Sequence, residues 1–454
     1  MLSRKLLILV ILPLLLAGCS NLPLPEYKLF DCDDPNNFPP TSTGEKLEVV
    51  KSLDPVPGSY IVTLAPKHMT NLMAVGTGSG ENAMQFATRY REVLADQGEM
   101  MGATSVVALG VIDAFSGNLD KATLKKLRSN PRVARIAEST KVSLPEPIAV
   151  SAVEPQKLSG NRSWGQDRVN QRPNSLDQNF DQIGYGEGVH VGLIDTGIDD
   201  QNDEFAGRMG MCTTAIVNPP DAWGCRDDHG HGSHVAGTMA GTYWGIAKKA
   251  TVHSCRGLQN GSGADWQIIL CIDEHIRNKR ALDEEEGAPV RYIVNESIGG
   301  SYSDESDRAN CRMIKAGIAN VVAAGNEDNS LCHFSPARVK QAVTVGATHY
   351  DDSRTYFSAN DGNAPLCAGG LDIWAPGWNV VSTKMGGCAP QNCPWMSGTS
   401  MAAPHVAGAL AVFWGLHPEM DQFEAEAAMK ATATPVVKDP RSESNLLVYV
   451  GPEE

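Results

Sequence analysis

Val191-Gly192-Leu193-Ile194-Asp195-Thr196-Gly197-Ile198-Asp199 is the stretch on which the fold turns. A short apolar run ends in a carboxylate and a Thr-Gly turn, which places Asp195 at the carboxyl end of a buried strand. Ligand chemistry in open α/β sheets gathers at that edge. Outward from it, apolar runs at Val189–Ile194, Val290–Val294, Asn320–Ala324 and Ala342–Val345 alternate with helical segments, the longest being Thr399–Leu416. That alternation predicts an α/β fold, a mostly parallel, doubly wound sheet covered by helices on both faces.

Two further motifs carry reactive groups. In His229-Gly230-His231-Gly232-Ser233-His234, the small residues around His231 let a helix start close to the sheet and present the imidazole at its N-terminal end. In Ser397-Gly398-Thr399-Ser400-Met401-Ala402-Ala403-Pro404, Gly398 permits a tight turn and Pro404 is tolerated near a helix start. Ser400 therefore falls at a helix N-terminus, where outward N–H groups stabilise negative charge. A serine is a weak nucleophile until a base takes its proton, and the base needs an orienting group. Asp195, His231 and Ser400 supply these roles in the order Asp, His, Ser, as in subtilisin and unlike chymotrypsin or the α/β-hydrolases.

From about Ser163 to Tyr449 the chain resembles the subtilases, and within them the proteinase K and aqualysin branch. The stretches that carry the resemblance are VGLIDTGID, HGHGSHVAGTMAG, NESIGG, VVAAGN, SPARVKQAVTVGAT, LDIWAPG and SGTSMAAPHVAG. The resemblance implies a serine endopeptidase acting on protein or peptide substrates. Ser400 would be its nucleophile, His231 its general base and then acid, and Asp195 the orienting carboxylate. Asn326 would donate to the oxyanion. Ser297, Ile298 and Gly299 would pair with the substrate backbone as an added strand, and Ala323 to Gly325 would form the opposite wall of the main specificity pocket. No cofactor is implied for the chemistry. Asp372, with the carbonyls of Lys340 and Ala342, matches a structural calcium site of the family. Two positions depart from the pattern. Glu296 and Gly257 each stand where an apolar residue is usual.

The N-terminus has its own logic. Arg4 and Lys5 precede an apolar run, Leu6 to Leu16, too short to span a bilayer, which takes about 20 residues. Residues 1–18 read as a signal peptide. Its end, Leu16-Ala17-Gly18-Cys19, resembles the lipobox of bacterial lipoproteins, which implies a lipid on Cys19 and anchoring at the cell envelope. Ser20, rather than Asp, favours the outer membrane in a Gram-negative cell. Residues 19–57 are Pro-rich and read as an extended tether. Residues 58–140 read as a small α+β unit, with a strand at Tyr60–Leu64, a helix at Met84–Asp96 facing inward through Phe86, Tyr90 and Leu94, a strand-like stretch at Ser105–Leu119, a helix at Asp120–Leu127 and a strand at Val133–Ile136. Its opening GSYIVTL and its ending LKKLRSNPRVARIAE resemble the inhibitor propeptide of subtilisin-like proteases, a ferredoxin-like module. That implies an intramolecular inhibitor, removed by self-cleavage in the 141–160 linker, ahead of a catalytic domain at 161–454.

The chain has 454 residues, enough for two or three domains. Its 53 acidic against 38 basic residues exclude the basic surface a nucleic-acid binder needs. Three rivals compete with the serine protease. An aspartic protease needs a second Asp-Thr-Gly or Asp-Ser-Gly, which the chain lacks. A zinc hydrolase would use His229, His231 and His234, but Ser233 stands where an acid usually precedes the last histidine. An inactive binding protein of the same fold would usually have lost a member of the reactive set.

Eleven cysteines cannot all pair. With Cys19 lipidated, ten remain in an oxidising compartment. Cys332–Cys367 matches a disulfide of the aqualysin branch. Cys388–Cys393 and Cys212–Cys225 follow from proximity, although Cys225–Cys255 competes, and Cys271–Cys311 is left as a further pair. Removal of Cys32 by processing would leave a free thiol, with Cys255 the expected one.

Overall fold

The computed structural model describes residues 28–37, 46–69, 83–144, 158–159, 162–217, 222–362, 365–389 and 392–452. The 1–18 signal segment, Cys19 and most of the 141–160 linker lie outside them.

The N-terminal unit contains β1 (Pro55–Leu64), α1 (Ala83–Met100), β2 (Thr104–Leu109), β3 (Ala114–Asn118), α2 (Lys121–Leu127) and β4 (Val133–Ser143). Its strands lie in the order β4-β1-β3-β2 with antiparallel pairings, the split β-α-β-β-α-β arrangement. Asp120 caps α2 by accepting from the Thr123 N–H at 2.7 Å. The sequence reading needs three corrections here. Ser105–Leu119 is a hairpin rather than one strand, turned by Gly110–Ile112 and by Asp113 at φ 56. Leu94 is buried and Tyr90 donates its hydroxyl to Asp113 at 2.6 Å, but Phe86 is exposed. Strand β4 runs seven residues beyond Ile136, to Ser143.

The larger unit is built on a nine-stranded sheet. Its elements are β5 (Val189–Asp195), β6 (Met209–Thr214), α3 (His231–Ala240), β7 (Thr251–Arg256), β8 (Ser262–Ala264), α4 (Asp265–Glu286), β9 (Arg291–Glu296), α5 (Asp304–Lys315), β10 (Ile318–Ala323), β11 (Val343–Thr348), β12 (Ile373–Pro376), α6 (Thr399–Leu416) and α7 (Gln422–Thr432). The order β12-β11-β10-β9-β5-β7-β6 is parallel throughout, and a closing hairpin, Thr434–Pro435 with Leu446–Leu447, extends it beyond β12. Strand β8 lies apart from this sheet and pairs with β4. Because β5 has β9 on one side and β7 on the other, the chain switches direction there, and Asp195 points into the crevice that results.

The sheet buries both faces. Leu193, Ala236, Met239, Val406 and Leu410 share one core with α3 and α6. Ile194, Ile269, Tyr292, Val294 and Met313 share the other with α4 and α5. Helix α6 is long and apolar enough to cross a membrane, yet 89% of it is buried inside the fold, so it is a core helix. Gly257 has a packing reason, since a Cβ there would meet Ile268 Cδ1 at 2.9 Å.

The N-terminal unit packs on α4 and α5. Ile61, Leu109, Ile112 and Val142 join the second core. Arg91 bonds Asp273 at 2.8 Å and Glu274 at 2.6 Å, and Arg135 bonds Glu305 at 2.5 Å and Asp304 at 2.8 Å.

The tether and the cysteines differ from expectation. Residues 28–37 are not a free spacer but lie against the larger unit, with Phe30 and Cys32 buried beside Cys311, Ile314, Val322 and Val339. Among the described residues five disulfides form: Cys32–Cys311, Cys212–Cys225, Cys255–Cys271, Cys332–Cys367 and Cys388–Cys393. Cys255 is therefore not free, and Cys271–Cys311 is not a pair. Cys255 faces Cys271 because β7 and α4 pack across one layer, a proximity invisible in the sequence.

Candidate active site

The site is assembled at the carboxyl edge of the parallel strands. Asp195 ends β5 fully buried, and His231 opens α3 with its Nδ1 at 2.8 Å from Asp195 Oδ1 and 3.0 Å from Oδ2. A carboxylate only accepts, so Nδ1 carries the proton and Nε2 is left as the base. The helix start fits tightly against the Asp195 turn. A Cβ on Gly232 would fall on the Gly197 carbonyl oxygen and lie 3.2 Å from Asp195 Oδ1.

Asp227, which the sequence reading passed over, organises this corner. Its buried carboxylate accepts from Thr196 Oγ1 at 2.8 Å, from the N–H groups of His229, Gly230 and Ser233 at 2.8–2.9 Å, and from Ser233 Oγ at 2.7 Å. It holds the Asp195 turn and the start of α3 in one network. Thr196 completes it by accepting from Gly232 N–H at 3.0 Å.

Ser400 lies in the first turn of α6, with 3% exposure. Its hydroxyl donates to the Ser297 carbonyl at 3.0 Å, and Ser297 Oγ donates to the Ser400 carbonyl at 2.8 Å. Among the described residues no hydrogen bond joins Ser400 to His231. Catalytic contacts of this kind are often loose until substrate binds. Asn326 directs its Oδ1 to Thr399, accepting from N–H at 2.8 Å and from Oγ1 at 2.9 Å. Its Nδ2 is thereby turned toward the Gly398-Ser400 turn, where a Cβ on Gly398 would sit 3.1 Å from it. The arrangement offers an amide donor and helix N–H groups to charge developing beside Ser400.

A cavity of about 200 Å³ opens beside Ser400, walled by Ile298 and Gly299 on one side and Ala323 and Gly325 on the other. Glu327 and Phe334 also line it. Glu327 was missed by sequence reasoning, although its place next to Asn326 was a signal. The end of the N-terminal unit fills the approach to this cavity. Lys141–Ser143 pairs antiparallel with β8, Ser143 N–H donates to Gly299 O at 3.1 Å, and Leu144 N–H donates to Gly261 O at 2.9 Å. A larger cavity, about 540 Å³, is lined by Asp199, Glu204, Trp223 and Met385 and touches neither His231 nor Ser400. The smaller cavity is the one that Ser400 lines.

The zinc-hydrolase reading fails on this geometry. The three histidines do not converge on a metal. His231 is bonded to Asp195, and His234 is buried against the Val380 carbonyl at 3.1 Å, where burial pushes its pKa down to about 3. The only group with metal-like spacing among the described residues is Asp200 with Cys212 and Cys225, and those two cysteines form a disulfide. Asp372 does not fit calcium either. Lys430 Nζ donates to its Oδ1 at 2.9 Å and Thr344 N–H to its Oδ2 at 2.9 Å, so a lysine ammonium supplies the positive charge. Glu296 is fully buried at the end of β9, and among the described residues neither of its oxygens has a hydrogen-bond partner. Burial lifts its pKa to about 8, the nearby Asp307 adds to the rise, and the Asn320 amide offsets only part of it. It does not line the cavity and is a core acid, not a specificity residue.

A parallel α/β sheet with a buried Asp195–His231 pair at its carboxyl edge and a serine in the first turn of α6 is an arrangement found in hydrolases of the serine type. The known proteins agree. The model of the subtilase family matches residues 186–448. The extracellular serine proteinase of Thermus sp. (strain Rt41A) is 34% identical over 91% of this chain and 95% of its own length. The subtilisin-like serine protease pepC of Aspergillus niger is 34% identical over 85% of this chain and 71% of its own. A cold-adapted subtilisin-like serine proteinase of known crystal structure aligns with a TM-score of 0.57 and 33% identity, covering 64% of this chain and 100% of that one. The chain belongs to the subtilase family and is a serine endopeptidase.

Proposed function

We propose that Ser400, His231 and Asp195 form the catalytic triad of an exported, lipid-anchored endopeptidase made as a self-inhibited proenzyme. The observation that carries this reading is residues 141–144 laid as a strand across the approach to the cavity that Ser400 lines, beside the buried Asp195–His231 pair.

In this mechanism a substrate adds as a strand between Gly261 on one side and Gly299 on the other, where Leu144 and Ser143 now bond. Ser400 turns from the Ser297 carbonyl to His231 Nε2, which takes its proton as Oγ attacks the scissile carbonyl. Asp195 stabilises the imidazolium through Nδ1. Asn326 Nδ2 and the N–H groups at the start of α6 hold the oxyanion. A side-chain donor of this kind contributes about 3 kcal/mol. His231 then protonates the leaving amine, and water repeats the sequence on the acyl-enzyme.

The 58–140 unit fits an inhibitory propeptide, because its final strand bonds where substrate would. Export is supported by the extracellular relative from Thermus, and Cys19 would carry the lipid anchor. A fluorophosphonate probe should label the wild type and persist in EDTA, while Ser400→Ala should neither label nor process itself. Labelling of Ser400→Ala, or loss of all activity on chelation alone, would refute the serine mechanism.

A further inference from the structure

Residues 28–37 lie upstream of the inhibitory unit in sequence but are built into the protease unit in space. Phe30 N–H donates to Arg338 O at 2.7 Å and Phe30 O accepts from Lys340 N–H at 3.0 Å, a strand-like bridge to Val339. The Phe30 ring is buried under the Arg338 guanidinium, 5.4 Å from its centroid. Gln341 brackets the next turn, accepting from Cys32 N–H at 2.9 Å and donating to Asp31 at 2.7 Å. Lys315 donates to Cys32 O and Arg308 to Asn37 O, each at 2.6 Å. The Cys32–Cys311 disulfide closes the contact across 279 residues. Each of these partners lies between residues 308 and 341, in the protease unit.

We propose that the mature enzyme has two chains, with the N-terminal peptide that carries residues 28–37 retained on the protease through Cys32–Cys311 after the 141–160 linker is cut. This rests on the self-processing proposed above. In that cut, water adds across one peptide C–N bond to give a carboxylate and an amine, and the sulfur–sulfur bond is untouched. Whatever is attached upstream of residue 28, including lipid on Cys19, then remains with the protease. The released end of the inhibitory unit is also held near the cleft, at the high effective concentration of a tethered ligand. Relief of inhibition therefore proceeds by digestion of residues 46–144, not by their diffusion away.

The test uses the full-length wild type from an oxidising, secreting host, alkylated with N-ethylmaleimide at lysis. Without reductant, mass spectrometry of the digest should find the Cys32 peptide linked to the Cys311 peptide. Gels should release an N-terminal fragment from the catalytic chain only on reduction. A cut enzyme whose Cys311 is alkylated, or whose catalytic chain lacks residues 28–37 before reduction, overturns the proposal and leaves self-processing standing. A chain still uncut on the reduced gel overturns both. Cys32→Ser/Cys311→Ser should still label with fluorophosphonate and shed the fragment without reductant. If that variant does not fold, the wild-type gel and digest decide the matter alone. A linked enzyme found in the soluble fraction supports the two-chain form and refutes the lipid anchor.

Discussion

Ser297 and Ser400 exchange hydrogen bonds, each hydroxyl donating to the other residue's backbone carbonyl, at 2.8 and 3.0 Å. The exchange fastens the strand that would pair with substrate to the first turn of α6. It also parks Ser400 Oγ on a carbonyl, so in the proposed mechanism Ser400 must turn to reach His231. Asn295 Nδ2 steadies the other half by donating to Ser297 Oγ at 2.9 Å. Ser297→Ala should remove one fastening and leave the Ser400 carbonyl without that donor. A buried hydrogen bond contributes about 1 kcal/mol net, so kcat/KM should fall about fivefold to tenfold with fluorophosphonate labelling retained. An unchanged kcat/KM would show that the exchange plays no part in positioning.

Gly232 is the residue that lets α3 begin against the Asp195 turn, since any side chain there would collide with the Gly197 carbonyl. Gly232→Ala should push His231 off Asp195 and cost about a hundredfold in kcat, as a displacement of ~1 Å does at a reacting centre. Circular dichroism should show the fold intact. Full activity in the variant would contradict the packing argument.

Glu327 puts a carboxylate on the rim of the cavity beside Ser400, its Oε2 accepting from Asn326 N–H at 2.7 Å. A basic side chain entering the cavity would meet that charge. Glu327→Gln should lower kcat/KM for substrates with Lys or Arg before the scissile bond by about fivefold relative to Phe, since a partly solvated pair contributes about 1 kcal/mol. A set of matched chromogenic peptides measures this, and an unchanged ratio would place the basic group elsewhere.

Glu296 predicts a pH-dependent stability. Burial raises its folded-state pKa to about 8, against an ordinary value of 4.5. Below pH 4.5 both states hold the proton and the shift costs nothing. From there to about pH 8 only the unfolded state gives the proton up, so the native state loses stability as pH rises. Glu296→Gln mimics the protonated form. Its Tm should match wild type at pH 4 and exceed it by several degrees at pH 9, a kcal/mol shifting Tm by about 2–4 °C in units of about 150–250 residues and by less in a larger one. A pH-independent difference would remove the titration from the explanation.

Lys430 is the counter-charge of Asp372, the two side chains being 31% and 20% exposed. A pair this open to solvent contributes about 1 kcal/mol, so Lys430→Met should lower Tm modestly while leaving kcat on small peptides unchanged. Wild-type Tm rising with added calcium through a site that Asp372→Asn abolishes would instead restore the metal reading.

Much of this was legible in the chain itself, for identifiable reasons. Helix Thr399–Leu416 was read to its boundaries because Gly398 ends the preceding turn and the apolar run is unbroken. Strand β5 was read one residue short, since its last residue is the polar Asp195. Strand β4 was cut at Ile136 because Glu138, Ser139, Thr140 and Lys141 look like a surface loop, although Ser139 and Thr140 are buried between two units. Asp227 was missed because three of its five hydrogen bonds come from backbone N–H groups, which leave no pattern in side chains. The partner of Cys32 was out of reach because nothing local announces a contact across 279 residues. The Lys430–Asp372 contact was out of reach, since only the packing of α7 brings Lys430 to that carboxylate.

The central claim is that Ser400 is the nucleophile. Peptide mapping of the wild-type enzyme after fluorophosphonate treatment tests it most directly. The account predicts a single adduct, on the peptide containing Ser400, that is absent when His231 is replaced by Ala. An adduct on any other residue, or hydrolysis that survives in Ser400→Ala, would contradict it.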